Sequence, residues 1–559
     1  MPAASVLAPS ALLAAAAAVG WALERLGVPA SRWLAAGAAW LALVALLATW
    51  WATGRATLEL NLPGTVGGAP PALRLDAIGV AFGLVVLLPT ALLFTFQRRG
   101  PAEASVAALA ASASLLVSAA GSLLLTAVAL GTCASLVLVA LRQEEDRPAT
   151  AYLVSLSVAG LLLLWAGVVL ELTGGTSVYS AAPVTALRVP VFLLLAGAGL
   201  LCSGLLPWPS WLPAMWDRER LEAGPLAIAL LGPIGFLLLS RAYLLGAGHW
   251  PSPVLNLALG AVGVAAAAAA ALRAQAAASR LAFLGEAVPL GGGLALLALS
   301  LGTPFGVSAA LLTLAGSALI VGLAPLLPAG RWPPAVLGAA VILGVPPALI
   351  FGGRLLAIQA AVEAGDAFGF LGLLGAASWL LALAAAARLP ALSSGGDEER
   401  AGDRFGVYAV LVLALAGGLA AGVLESLLGL PLAAEVVGAP GAAVSGGYFA
   451  VVSASGGWAA FTLGVPLTLL AAAVAVLSRP AWIRWAARPV AVMPPPAPLV
   501  GAPAWPFRRR RSVRAPRTVQ IPANYRDLLR PSTLEAAAAA SPPWVWGAIT
   551  LALIVIVTR

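Results

Sequence analysis

The chain is a succession of long apolar runs, and this pattern constrains its fold more than any other feature. A helix needs about 20 consecutive apolar residues to cross the hydrocarbon core of a bilayer. The sequence is 61% hydrophobic and only 9% charged, whereas soluble domains are about 45–50% apolar and about 25% charged. A water-soluble fold could not cover so much apolar surface. We therefore predict an all-α integral membrane protein.

Counting the apolar runs gives the approximate position of each spanning helix. The predicted spans are 9–24, 33–52, 76–96, 103–119, 121–141, 150–171, 188–207, 224–245, 253–271, 281–300, 305–327, 334–354, 367–387, 406–427, 457–477 and 543–558. The stretch 430–456 is also apolar but rich in Gly and Ala, and it leaves room for a half-helix.

The placement of charge predicts the orientation of these helices. The net charge is +9, and every basic residue is an arginine, because the sequence contains no lysine. Arginine marks the cytoplasmic side of membrane helices. The connections that follow odd-numbered helices hold most of these residues: Arg25, Arg32, Arg98, Arg99, Arg142, Arg147, Arg218, Arg220, Arg273, Arg280, Arg331, Arg388, Arg400, Arg404 and Arg479 onward. We therefore expect a multi-pass protein of a bacterial-type cytoplasmic (inner) membrane, with its N-terminus outside and no nucleic-acid partner.

The segment 489–541 departs from the apolar pattern. It is polar, rich in Pro and basic, and it includes Arg508, Arg509, Arg510 and Arg511. One reading is a solvated cytoplasmic linker, and the other is a strap along the cytoplasmic surface, held by anionic lipid or by a partner subunit. It leads to a last apolar run, Trp544–Val557.

The residues that usually build metal and redox sites are scarce. Cys133 and Cys202 each lie inside an apolar run, and His249 is the only histidine. This set forms no disulfide framework, zinc site, haem site or iron–sulfur site. We expect no cofactor, and a non-catalytic membrane subunit is favoured over an enzyme.

Several motifs resemble one known family. Leu205–Pro213 (LLPWPSWLP) resembles its P-F-H-x-W-L-P turn, Gly344–Arg354 (GVPPALIFGGR) its G-[IV]-P-P-x-x-G-F-x-G-K motif, and Ser279–Gly291 its K-R-L-L-A-Y-S-S-I segment. Leu75–Ile78 and Val137–Arg147 support the likeness. The family is that of the antiporter-like subunits of respiratory complex I (chains L, M and N of NADH-quinone oxidoreductase), Mrp cation antiporters and group 4 membrane-bound hydrogenases. This chain resembles a divergent member.

The resemblance implies an antiporter-like core of about 14 helices, with one or two additional helices. It divides the chain into N-terminal helices (1–72), the core (73–430), C-terminal core helices (431–488), the strap (489–541) and a terminal helix (542–559). Its motifs include Pro207, Trp211, Pro213, Gly344, Pro346 and Pro347. The two adjacent prolines either break a spanning helix or mark its start.

The resemblance also implies a relay of ionisable groups, which this chain lacks. The family's Glu, Lys and His positions fall on or near Ala129, Cys202, Pro209, Pro233, Gly316 and Ile320. The last lysine of the Pro-Pro motif becomes Arg354, which stays protonated and is a poor relay.

A few charged residues remain as a possible ion path: Asp76, Glu286 and Arg354. Asp76 is favoured as a helix cap, and Glu286 is expected in a wet position near a helix start. The favoured function is a subunit of a multisubunit redox or ion-translocating complex that has lost proton pumping and acts in scaffolding and docking. The alternatives are an active proton or cation translocator by an atypical route, and a stand-alone small-molecule transporter.

Overall fold

The computed structural model describes residues 3–26, 31–63, 72–96, 104–144, 150–206, 211–216, 223–277, 280–327, 333–385, 404–438, 442–445 and 450–453. The regular elements within these ranges are helices, apart from two short antiparallel hairpins. The strap, the apolar runs 457–477 and 543–558, Pro207, Pro209 and Arg508–Arg511 lie outside the described residues.

The helices follow the order of the apolar runs. They are α1 (Ala8–Arg25), α2 (Ser31–Ala52), α3 (Ala77–Phe96), α4 (Ala104–Ser118), α5 (Leu123–Glu144), α6 (Thr150–Gly174), α7 (Val189–Cys202), α8 (Trp211–Ala214), α9 (Ala223–Leu245), α10 (Pro253–Ala276), α11 (Arg280–Gly285), α12 (Ala287–Ser300), α13 (Pro304–Leu323), α14 (Pro333–Leu343), α15 (Leu349–Ala364), α16 (Asp366–Ala385), α17 (Arg404–Leu419), α18 (Ala421–Leu424) and α19 (Leu430–Val437). The strands are β1 (Leu58–Asn61), β2 (Ala72–Leu75), β3 (Ala442–Ser445) and β4 (Ala450–Ser453).

Each of the first fourteen predicted runs coincides with one helix or with a broken pair. Among the described residues, ten helices are long and apolar enough to cross a membrane, and α17 with its bent continuation would be an eleventh. The other three runs correspond to the shorter helices α4 and α7 and to the broken pair α14 and α15. The prediction of a multi-pass helical membrane protein is confirmed.

Two predicted spans are not straight, continuous helices in the structure. The run 334–354 was expected to end at Arg354, but α14 stops at Leu343 and α15 continues from Leu349 to Ala364. The adjacent prolines cause the break, since they lack the N–H groups that would continue the helix. The run 406–427 bends by 76° at Ala420, and α19 and the β3–β4 hairpin occupy the stretch suggested as a half-helix.

The helices form a buried centre surrounded by helices with exposed apolar faces. Nearly all side chains of α3, α9, α12 and α13 are buried, whereas α1, α2 and α16 expose large apolar side chains. The exposed Trp21, Trp33 and Trp51 lie near the ends of α1 and α2, each 4.8–5.3 Å from the guanidinium of a nearby arginine. Tryptophan and arginine at helix ends are typical of the membrane–water interface.

Glycine permits the closest helix contacts in the centre. A Cβ on Gly235 of α9 would overlap the carbonyl oxygen of Gly199 on α7, and Gly263 and Gly293 pair in the same way between α10 and α12. Small residues allow such backbone contact between membrane helices. Gly263 and Gly293 therefore allow α10 and α12 to approach closely.

The β1–β2 hairpin positions the start of α3. Leu58 pairs with Leu75 and Asn61 with Ala72 in an antiparallel register, and an isolated bridge joins Leu73 to Ala120. β2 thereby delivers Arg74 and Asp76 to the end of the bundle at which α9 ends and α19 packs. We call this end the Asp76 face.

Candidate functional site

An ion-pair network lies at the Asp76 face and joins three parts of the fold. Asp76, which is 0% exposed, pairs with the Arg241 guanidinium through both carboxylate oxygens and with Arg74 Nε at 2.6 Å. Arg74 also contacts Glu435 of α19 at 3.0 Å and Glu59 of β1 at 3.3 Å. We call Arg74, Asp76, Arg241 and Glu435 the Asp76 network.

Asp76 is also the cap of α3, as the sequence indicates. Its Oδ1 accepts a hydrogen bond from the backbone N–H of Gly79 at 2.8 Å. Burial by itself would raise the pKa of Asp76, but the charges of Arg241 and Arg74 and the hydrogen bonds outweigh it and lower the pKa to about 2. Asp76 therefore stays ionised at neutral pH, where it caps α3 and pairs with both arginines.

Glu286, which was expected in a wet position, is buried in the structure. Glu286 lies between α11 and α12, is 9% exposed and accepts bonds from Arg273 Nε to both carboxylate oxygens at 2.8 Å. The expectation of a wet Glu286 is wrong, because α10 and α12 pack closely and bring the Arg273 side chain over the break. The pair compensates the buried charge.

Arg354 holds two helix breaks together. Its guanidinium is part of a residue only 1% exposed and donates to the carbonyl oxygens of Leu343 at 2.9 Å and Ala287 at 2.8 Å. Trp379 Nε1 donates to the same Leu343 oxygen at 3.0 Å. In a continuous helix the N–H of residue 347 would bond that oxygen, but Pro347 has none. Arg354 and Trp379 satisfy the acceptor that the proline leaves.

A similar arrangement occurs at the end of α7. The motif residue Trp211 is fully buried, and its Nε1 donates to the carbonyl oxygen of Leu201 at 3.0 Å. Leu201 precedes the left-handed turn at Gly204 (φ +68°), where the helix ends. Tryptophan therefore satisfies a terminal carbonyl at both breaks. Pro213 lies in the short helix α8, while Gly344, Pro346 and Pro347 form the break between α14 and α15.

Neutral groups occupy the region where the resemblance implies a Glu–Lys pair. Cys202 at the end of α7 and Cys133, one turn beyond Ala129 on α5, are both fully buried. Tyr152 of α6 is also buried, at 1% exposed. The Cys133 thiol and Tyr152 donate to main-chain oxygens, at 3.5 Å and 3.0 Å. The arrangement holds no charge.

A narrow cavity of about 40 Å³ lies between α3, α7, α9, α12 and α13. It has room for a few water molecules. Pro233, the position of a family lysine, lines it together with Pro89, Gly292 and Val288. Ser203 and Ser317 also line it, but their hydroxyls donate to carbonyl oxygens of their own helices at 3.1 Å and 2.9 Å. The cavity is apolar in character.

The two remaining positions of the family relay lie on α13 and are also without charge. Gly316 and Ile320 are buried, and Gly316 packs against the backbone of Ile350 on α15.

Sequence reasoning did not identify Arg241, Glu435 or Trp379 as functional partners. The available signal was an ionisable residue inside an apolar run, which is costly in a membrane and usually paired.

Comparison with known proteins gives structural matches only. No protein-family model and no curated protein sequence matches the chain. Its structure is similar to the Mrp complex from Dietzia sp. DQ12-45-1b, with a TM-score of 0.68 and 21% identity over 86% of this chain and 59% of that chain. The chain thus spans less than two thirds of the length of that relative.

Two further structures are similar over a larger share of their own length. One is the membrane-bound sulfane sulfur reductase, an archaeal respiratory membrane complex, with a TM-score of 0.68 and 14% identity over 85% of this chain and 84% of that chain. The other is respiratory complex I from Thermus thermophilus, with a TM-score of 0.62 and 22% identity over 78% and 99%. The expected antiporter-like fold is confirmed.

Proposed function

We propose that this chain is an antiporter-like subunit of a multisubunit membrane complex that has kept the fold but does not conduct protons. Its work is to hold neighbouring membrane subunits together and to close the membrane region at its position. The likeness to subunits of three multisubunit membrane complexes supports the assignment to a complex.

One observation carries the proposal. The four central helices α3, α9, α12 and α13 contain no Asp, Glu, His or Lys. Their one charged residue is Arg241, which is bound within the Asp76 network at one face. Proton transfer across a bilayer needs groups that gain and lose a proton in place. The central helices therefore offer no side-chain relay.

The replaced family positions point the same way. The Cys133 and Cys202 thiols stand in the region of the implied Glu–Lys pair, and Pro233 lines an apolar cavity. Arg354 keeps its charge at ordinary pH, and its guanidinium donates hydrogen bonds to two main-chain carbonyl oxygens. Each substitution keeps the packing and removes a step of the relay.

The expected partners are other membrane subunits, together with anionic lipid at the cytoplasmic face. The arginine positions support an orientation with the N-terminus outside and the Arg-rich connections inside. Arg508–Arg511 would then contact lipid headgroups or a partner from the cytoplasmic side. We infer a bacterial-type cytoplasmic membrane on the same grounds.

Proton flux in reconstituted vesicles tests the proposal directly. The purified full-length chain is placed in vesicles that hold a pH-sensitive dye, and a potassium diffusion potential drives protons inward. We expect the internal pH to change no faster than in protein-free vesicles of the same lipid. A protein-dependent flux that rises with the amount of inserted chain would overturn the proposal.

The buried acids favour one alternative, an atypical translocator. Glu286 and Glu425 are buried carboxyl groups outside the bounds of the central helices. If they form an ion path, a flux should be present in the wild type and lost in Glu286→Gln, while Glu363→Gln, at an exposed residue of α15, should leave it unchanged.

A stand-alone small-molecule transporter is the remaining alternative. Native purification of the tagged chain in mild detergent, followed by mass spectrometry, separates it from a complex subunit. We expect stoichiometric membrane subunits and soluble subunits to copurify. A chain that is monodisperse and alone after purification from its own membrane would favour the transporter.

A further inference from the structure

The carboxyl group of Glu425 is buried without a cation. Glu425 is 0% exposed and begins a π-helical turn, Glu425–Gly429, between α18 and α19. Ser308 of α13 donates its hydroxyl hydrogen to Oε1 at 2.6 Å. The second oxygen, Oε2, is buried and has no hydrogen-bond partner among the described residues. π-Turns inside helices occur often at functional sites.

The turn is shaped to accept this side chain. Glu425 folds back along its own helix, so that a Cβ on Gly429 would overlap Oε2 and lie 2.5 Å from the carboxyl carbon. Glycine is therefore the residue that leaves room for the carboxyl group. The site consists of the π-turn, Gly429 and the Ser308 hydroxyl.

Among the described residues, the charged side chains near the turn do not contact the Glu425 carboxyl group. The turn packs against α3, α13, α18, α19 and β3, and none of α3, α13, α18 and β3 carries an ionisable residue within its helix or strand bounds. Glu435 of α19 is bound to Arg74. Arg55, which follows α2, donates to the carbonyl oxygen of Ser426 at 3.0 Å and lies 5.3 Å from the Trp51 ring.

An ionised carboxylate in this position would be costly. Burial without a compensating cation strongly disfavours the charged form of a carboxyl group, and one neutral hydrogen bond does not offset that cost. The protonated acid removes the charge and leaves Oε1 as the acceptor for Ser308. We propose that Glu425 is a proton-binding site on the Asp76 face, occupied at neutral pH and separate from any relay across the bilayer.

The geometry favours a proton over a metal ion. Oxygen-coordinated cations such as Ca²⁺ take about 6–8 oxygen ligands. No group of three His, Cys, Asp or Glu side chains suited to a metal occurs among the described residues. One carboxyl group and one hydroxyl suffice for a single proton.

Infrared difference spectroscopy of the full-length chain in lipid vesicles tests this site. We expect the carbonyl stretching band of a protonated carboxyl at pH 7 that is lost in Glu425→Gln, since Gln keeps the volume and an oxygen acceptor for Ser308. The exposed Glu363→Gln is the matched control and should leave the band unchanged. Ser308→Ala should retain the band but shift it to higher frequency, because the carbonyl loses its hydrogen bond.

The outcomes are distinct from those of the flux assay. A band absent from the wild type at pH 7, or present and unchanged in Glu425→Gln, would overturn the proton site and leave the proposed function untouched. A carboxylate band that responds to Na⁺ at constant pH would replace the proton with a cation. If Glu425→Gln fails to fold, the shift in Ser308→Ala decides the question.

Discussion

The Asp76–Arg241 pair offers the sharpest test of how the Asp76 face is held. Its two side chains come from positions 165 residues apart in sequence, and both are buried. Asp76→Asn keeps the shape and the cap to Gly79 but leaves Arg241 with less compensation. Removing one partner of a buried ion pair typically costs about 3–5 kcal/mol. Arg74 and Glu435 remain nearby, so we expect a value near the lower end.

The pKa of Asp76 gives an independent magnitude for the charged form. It falls from an ordinary value of 3.8 to about 2 in the folded protein, and each unit of such a shift corresponds to about 1.4 kcal/mol. The charge state of Asp76 therefore contributes about 2 kcal/mol of stability. Because the pKa is lowered by folding, this contribution is complete above pH 4 and is lost as the pH falls from about 4 to about 2.

A double-mutant cycle measures the coupling. Asp76→Asn, Arg241→Met and the double variant are purified in the same detergent, and their free energies of unfolding are determined at pH 7. We expect each single variant to lose stability and the double variant to lose less than the sum, with a coupling of about 1–3 kcal/mol. The acid-induced loss below pH 4 should be smaller in Asp76→Asn. Additive losses, or an unchanged acid limb, would refute the assignment.

Three further predictions use thermal melting of detergent-solubilised variants. Arg354→Met, which removes two buried bonds to carbonyls, should cost about 2–4 kcal/mol, and a loss below 1 kcal/mol would contradict the clamp. Gly235→Ala should cost about 1–3 kcal/mol through overpacking. The control Gly131→Ala, with open space at its Cβ, should be neutral or stabilising. Equal effects of the two substitutions would disprove the close contact. Cys133→Glu alone should destabilise the fold by about 3–5 kcal/mol through an unpaired buried charge. Adding Cys202→Lys should recover part of this loss. No recovery would mean that side chains at the two positions are too far apart to form an ion pair.

The sequence allowed the helices to be located but not their partners. The length of each apolar run is a local property, so runs such as 76–96 and 305–327 predicted α3 and α13 within a few residues. The two adjacent prolines left two interpretations open, a broken span or a helix start, and the structure has α14 ending at Leu343 and α15 beginning at Leu349. The orientation inferred from the arginines stays a prediction.

The contacts that define the sites depend on tertiary packing. Arg241 reads as a charge near a helix end, and nothing in its local sequence indicates a partner 165 residues away. The position of Glu286 near a helix start predicted a wet side chain, but the Arg273 side chain covers it. For Glu425, burial and the missing partner emerge only when α13 and the π-turn are packed together. Pairing across the bundle is not encoded in any periodicity.

Arg354 has a mechanical consequence. It grips one carbonyl oxygen from each of two interrupted helices, at Leu343 and at Ala287. Neither interruption can open unless the other moves with it or its own bond to the guanidinium breaks, and the guanidinium stays charged at ordinary pH. We expect α12, α14 and α15 to move as one rigid unit, so that a displacement at one break is transmitted to the other.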